Sequence, residues 1–183
     1  MPSSDRYTNT SVAAAAVTNF ESGTGAWSTG AQASAMAQST EQAHESANSL
    51  KLTRSATATG YMVVSGNTDY PVAASTAYIL DWWMYANSTA AVYRIDTDWY
   101  TSGQAYISTT TGTNVTCTQN AWTHAGPFTI TSAATAAFAR PALIAVSGSS
   151  TGDLVYLDEI YLYQRLWRHQ LPMLQSMNRA ATR

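Results

Sequence analysis

Charge is scarce in this sequence. Asp, Glu, Lys and Arg make up only 11% of its 183 residues, against roughly 25% in an average globular chain. The polar surface must therefore come mainly from Ser, Thr, Asn and Gln, as expected of extracellular or virion-surface sandwiches rather than cytosolic enzymes. A formal charge of −2 supplies no global basic field, so nucleic acid is not an expected partner. The single cysteine, Cys117, excludes an intrachain disulfide and reads as a packed strand or loop residue. No run approaches the ~20 apolar residues of a membrane-spanning helix, so membrane insertion is not expected. A signal peptide is not expected either: Met1 to Asp5 lacks a basic leader region, and the apolar run Val12 to Val17 is too short. Either an intracellular protein or export by a route other than classical secretion, such as release inside a virus particle, fits that pattern.

Catalytic constellations are also missing. Gly148-Ser149-Ser150-Thr151-Gly152 matches G-x-S-x-G in letters. A nucleophile elbow needs a following helix, however, and strand-like sequence follows here. His44-Glu45 lacks the second histidine of a zinc protease, and neither His124 nor His169 has metal-ligand spacing around it. Asp96 and Asp98 share a strand face, about 6.5–7 Å apart at strand rise, but nothing marks either as the raised-pKa acid of a glycosidase pair. A non-enzymatic domain is expected.

What the sequence does contain is short β-branched and aromatic runs punctuated by Gly, Asn and Ser, which predict strands near 15–20, 31–38, 48–54, 60–65, 77–86, 91–99, 104–109, 121–131, 137–146 and 153–163. That spacing, without long helices, predicts an antiparallel sandwich or barrel. In 78–85, Tyr78, Leu80, Trp82 and Met84 alternate with Ile79, Asp81, Trp83 and Tyr85. Both faces are largely apolar or aromatic, as in a central strand with a core face and a second face that is covered or binds ligand.

Charge divides the chain. Residues 1–163 hold five bases and all eleven acids, a net of −6, whereas residues 164–183 hold Arg165, Arg168, Arg179 and Arg183 and no acid, a net of +4. Leu166, Trp167, Leu171, Leu174 and Met177 interleave with these bases, and a short helix over 164–171 is expected to end before Pro172. Three parts follow: an N-terminal arm over 1–16, a sandwich over 17–163, and a basic, apolar arm over 164–183. Leu166, Trp167, Arg168, Leu171, Leu174 and Met177 are expected to dock on another chain, because so much exposed apolar surface needs cover; the alternative is a tail folded back on its own sandwich.

Several residue groups resemble, in order and spacing, the carbohydrate-binding-module jelly roll of families 4, 9 and 22. They are Asn19-Phe20-Glu21 with Gly25 and Trp27, Ser49-Leu50-Lys51-Leu52, Ala77 through Trp83, Trp99-Tyr100 with Gly103, Trp122, Ala139 through Leu143, and Leu157 through Leu162. Modules of this look also occur in bacteriophage tail and head-surface proteins. The resemblance implies an antiparallel jelly-roll β-sandwich and a structural Ca²⁺ held by Glu21 and Asp158 with backbone carbonyls. It also implies a sugar-binding surface, for which Trp83, Tyr85, Arg94, Asp96, Asp98 and Tyr100 are the candidates. The alternative for most of the aromatics is the core.

Together these readings point to a virion structural protein of a tailed bacteriophage, on the tail or capsid surface. Its expected partners are other virion proteins or copies of itself, and host cell-surface glycan. The alternative is a carbohydrate-binding module of a secreted glycoside hydrolase.

Overall fold

A computed structural model of the chain describes residues 12–13 and 18–164. Alternation sets its strands. These are β1 (Ser28–Thr29), β2 (Ala33–Ser39), β3 (Ser49–Arg54), β4 (Gly60–Val64), β5 (Tyr70–Pro71) and β6 (Ala77–Ala86). Then come β7 (Val92–Tyr100), β8 (Tyr106–Thr110), β9 (Val115–Thr116), β10 (Trp122–Thr131), β11 (Phe138–Ser147) and β12 (Leu154–Gln164). No helix occurs over residues 19–164.

The strands form two antiparallel sheets packed as a jelly-roll sandwich. One has the order β10-β6-β12-β3-β2. The other runs β1-β4-β11-β7-β8, with β5 on β11 and β9 on β7. In β6, Tyr78, Leu80, Trp82, Met84 and Ala86 point inward and are buried, while Asp81, Trp83 and Tyr85 are half-buried on the outer face. Sheet period fixes this: a one-residue slip would turn Trp82 and Met84 out.

Leu50, Leu52, Leu80, Met84, Leu157 and Leu162 meet Met62, Tyr93, Ile95, Trp99 and Leu143 across the interior. Burying side chains of this size stabilises by ~1.5–3 kcal/mol each. Trp99 is buried without leaving its indole unpaired, because Nε1 donates to Thr110 Oγ1 at 2.8 Å. Phe20 and Trp27, in the turns before β1, pack with their rings tilted 60° and centroids 5.9 Å apart.

Three sequence expectations shift here. The expected strand at 15–20 is not seen over residues 18–20; Phe20 instead takes a left-handed φ of 57° at a turn. Part of the expected N-terminal arm belongs to the sandwich, since Val12 N–H donates to Leu162 O at 2.7 Å and Ala13 is buried in the core. At the other end, Gln164 closes β12 rather than opening a helix. The rest of the expected arm, with Leu166, Trp167, Arg168, Leu171, Leu174 and Met177, lies outside the described residues.

Candidate functional site

The two outer faces of the sandwich differ, and they divide the expected sugar-binding set. Trp83 and Tyr85 lie on the outer face of the five-stranded sheet. Arg94, Asp96, Asp98 and Tyr100 lie on the outer face of the seven-stranded sheet, opposite Ile144, Ala142, Arg140 and Phe138 of β11. The six therefore do not form one surface. Strand alternation placed each group on one face correctly, but it carries no information on which sheet a strand joins.

On the five-stranded sheet the aromatic face is already covered. The indole of Trp83 stacks on His44, with centroids 3.7 Å apart and planes 18° apart, and on His124 at 4.6 Å. Tyr85 meets Trp122 and Tyr156 edge-on. The Tyr156 hydroxyl donates to Glu41 Oε2 at 2.7 Å, and Lys51 Nζ donates to the same carboxylate at 2.6 Å. Residues 40–48 thus lie across this sheet. Trp83 and Tyr85 are engaged in that packing and stay half-buried.

The opposite face carries an open groove of about 640 Å³. Its walls include Tyr61 from β4, Tyr106 and Thr109 from β8, Asp98 and Tyr100 from β7, and Arg140 from β11. Tyr61 and Tyr106 are 39% and 58% exposed, and they are the large hydrophobic side chains left in solvent among the described residues. Tyr100 meets Tyr106 edge-on at 5.9 Å, and the Arg140 guanidinium lies over the Tyr100 ring. Neighbouring strands set these positions directly: Arg140 faces Asp98, and Tyr106 faces Tyr100 across the ladder.

Polar groups in the groove are held in a chain. Thr109 Oγ1 donates to Asp98 Oδ1 at 2.5 Å, and the Tyr106 hydroxyl is 2.9 Å from the same Thr109 oxygen. Thr109 has one proton and gives it to Asp98, so Tyr106 donates to Thr109. Arg140 Nη2 lies 3.9 Å from Asp98, which is buried, while Nη1 donates to Asn67 at 2.9 Å. Burial, reinforced by the charges of Asp98 and Asp96, pushes the Tyr61 hydroxyl above the usual tyrosine range, so it stays protonated and able to donate. Gly30 is required where the β1–β2 turn crosses this strand: a Cβ there would stand 2.3 Å from the Tyr61 carbonyl oxygen.

Arg94 and Asp96 share this sheet face but do not line the groove. Arg94 Nε donates to Asp96 Oδ1 at 2.8 Å, and Gly112 N donates to the same oxygen. Of the expected set, the groove contains Asp98 and Tyr100. Tyr61, Tyr106, Thr109 and Arg140 were not foreseen. Alternation at Tyr106 and the position of Arg140 beside Pro141 were visible, but pairing across β4, β11, β7 and β8 was not.

The expected calcium pair is likewise engaged. Glu21 Oε1 accepts from Ala47 N at 3.1 Å and Asn48 N at 2.7 Å, and Oε2 accepts from Asn48 Nδ2. Asp158 accepts from His44 N at 3.0 Å and Glu159 N at 2.9 Å. Both carboxylates therefore clasp the 44–48 segment and the start of the β12 register shift through N–H donors, and each keeps lone pairs beyond these bonds.

No protein-family model and no curated protein sequence matches this chain. Solved structures do. The chain is similar to the CBM22-1 xylan-binding domain from Paenibacillus barcinonensis Xyn10C, with a TM-score of 0.62 and 16% identity over 80% of this chain and 91% of that one. It is also similar to a family 16 carbohydrate-binding module, with a TM-score of 0.55 and 15% identity over 80% and 96% of the two chains. A third neighbour is TmCBM61, solved with β-1,4-galactotriose, with a TM-score of 0.53 and 15% identity over 81% and 96%. These likenesses establish the carbohydrate-binding-module type of sandwich.

Proposed function

We propose that this chain is a non-catalytic glycan-binding module whose ligand lies in the groove on the seven-stranded sheet. The observation that carries the reading is the grouping of Tyr61, Tyr100 and Tyr106 around the Asp98–Arg140 pair. Tyrosine rings offer flat apolar faces to the C–H faces of a pyranose. Asp98, Thr109 and Arg140 offer acceptors and donors for its hydroxyls. Because the groove is open, it suits an internal stretch of a polysaccharide rather than a chain end. The neighbouring modules that bind xylan or were solved with β-1,4-galactotriose make β-1,4-linked glycans the first probes. Titration of the full chain with xylo- and galacto-oligosaccharides by calorimetry, together with pull-down on insoluble cell-wall polysaccharide, tests it. Absence of binding to every glycan in such a panel would overturn the reading.

The sequence supports a finer setting, display on the virion surface of a tailed bacteriophage. The body carries net charge −6 and the segment 164–183 carries +4, a pairing suited to docking on copies of the chain or on another acidic virion protein. Host cell-wall glycan is then the natural ligand. Deleting 165–183 should leave a folded module that no longer assembles. Unchanged incorporation of the truncated chain would overturn the arm's role in assembly, and absence of the full chain from particles would favour the alternative, a module of a secreted glycoside hydrolase.

A further inference from the structure

We propose that His44, Glu45 and Glu159 form a binding site for a divalent transition-metal ion of the zinc class, at the edge of the covered face of the five-stranded sheet. One ligand atom from each residue lies within 4.8 Å of the others. His44 Nδ1 and Glu159 Oε2 are already 3.0 Å apart. Zinc bonds of ~2.0–2.2 Å in tetrahedral geometry set neighbouring ligand atoms roughly 3.3 Å apart, so only the Glu45 carboxylate must close in. Its exposure leaves it free to do so.

The other two ligands are held in place. The backbone N–H of His44 donates to Asp158 Oδ2, and its ring is stacked on Trp83. Glu159 sits where the β12 ladder shifts register between Asp158 and Tyr161, with a left-handed φ of 54°, and it is 7% exposed. A regular strand would send this side chain inward among the leucines; the shift presents it to His44 instead.

Charge favours a cation there. Buried Glu159 stands beside the Glu45 carboxylate and next in sequence to Asp158, and the His44 ring faces it at 3.0 Å. A metal ion would neutralise this crowded pair of glutamates and replace the His44–Glu159 contact with two coordinate bonds. Imidazole selects zinc-class ions over calcium. Three protein ligands leave a fourth position for water. The bound ion would fasten residues 40–48 to β12, independently of whether the opposite groove holds glycan.

The test is thermal melting of the EDTA-stripped full chain in Zn²⁺ or Ca²⁺, with the visible spectrum of the Co²⁺ form as a second readout. Zn²⁺ should raise the melting temperature saturably, and Ca²⁺ should not. Co²⁺ should give a tetrahedral absorption band. Both effects should vanish in Glu45→Gln, whose exposed side chain is not needed for folding, and in His44→Gln. A Zn²⁺ response retained in both variants, no response in the unaltered chain, or a response to Ca²⁺ alone would overturn the proposal.

Discussion

The guanidinium carbon of Arg140 lies 5.3 Å from the centroid of the Tyr100 ring. The same side chain donates to Asn67 and stands beside buried Asp98. Arg140 therefore fixes the Tyr100 ring and balances the carboxylate at the floor of the groove. Arg140→Ala should remove both effects and weaken glycan binding by roughly tenfold to a hundredfold, about 1.4–2.8 kcal/mol. Calorimetric titration checks this, and an unchanged affinity would place the ligand elsewhere.

Tyr106 separates binding from stability. Its ring is 58% exposed and contacts Tyr100 only edge-on. Tyr106→Ala should weaken binding about tenfold, or ~1.4 kcal/mol. Stability should change by no more than about 0.5 kcal/mol, as for most surface substitutions. Trp83→Ala should do the reverse, because its indole packs against His44 and His124 and lies away from the groove. Parallel melting and titration of the two variants distinguish the faces.

The sandwich was legible in the sequence because alternation and turn chemistry are local. Tyr78, Leu80, Trp82 and Met84 announced a core face, and they occupy one. The two-residue strands β1, β5 and β9 were not legible, since their pairing partners β4, β11 and β7 create them. The site was half legible for a related reason. Asp98 and Tyr100 were visible as one strand face, but Arg140 lies 42 and 40 residues further along the chain and reaches them only through the β7–β11 ladder. Sheet membership, a non-local property, decided that Trp83 and Tyr85 would fall on the other side.

Arg54 is a buried cation that holds three loop segments together. Its Nη2 donates to Ala58 O at 2.6 Å, Nε to Ser149 Oγ at 3.2 Å, and Nη1 reaches Gln32 Oε1 at 3.4 Å. Lysine keeps the charge but has no planar fork. Arg54→Lys and Arg54→Met should therefore both destabilise, by about 2–4 kcal/mol, through acceptors left unsatisfied. Chemical denaturation measures it. Full retention of stability in the lysine variant would show that charge alone matters at this position.

Cys117 should be chemically silent in the folded protein. It is 3% exposed, and burial pushes its thiol up to about 12. At pH 8 the thiolate would be roughly one part in ten thousand, and the thiolate is the reactive form. A thiol reagent should label the chain only after denaturation. Rapid labelling at native pH would mean that the β9–β10 region opens readily.

Glu21 gives the fold an acid-sensitive contact. Desolvation works against its charge. The hydrogen bonds from Asn48, Ser46 and Ala47 together outweigh that effect, so the carboxyl titrates below its ordinary range. The sign follows from linkage: with a depressed folded pKa, the charged contact stabilises above the unfolded value and is lost as pH falls through the folded one. Glu21→Gln keeps the shape, but only one of its two terminal atoms can accept, so it should melt below the unaltered chain at neutral pH. That gap should narrow as pH drops beneath the ordinary glutamate range, where the native carboxyl also becomes neutral. Melting curves of both proteins across acid pH provide the check. A gap that stays constant with pH would mean that Glu21 acts through its neutral hydrogen-bonding shape, and the charged clasp on residues 47 and 48 would be wrong.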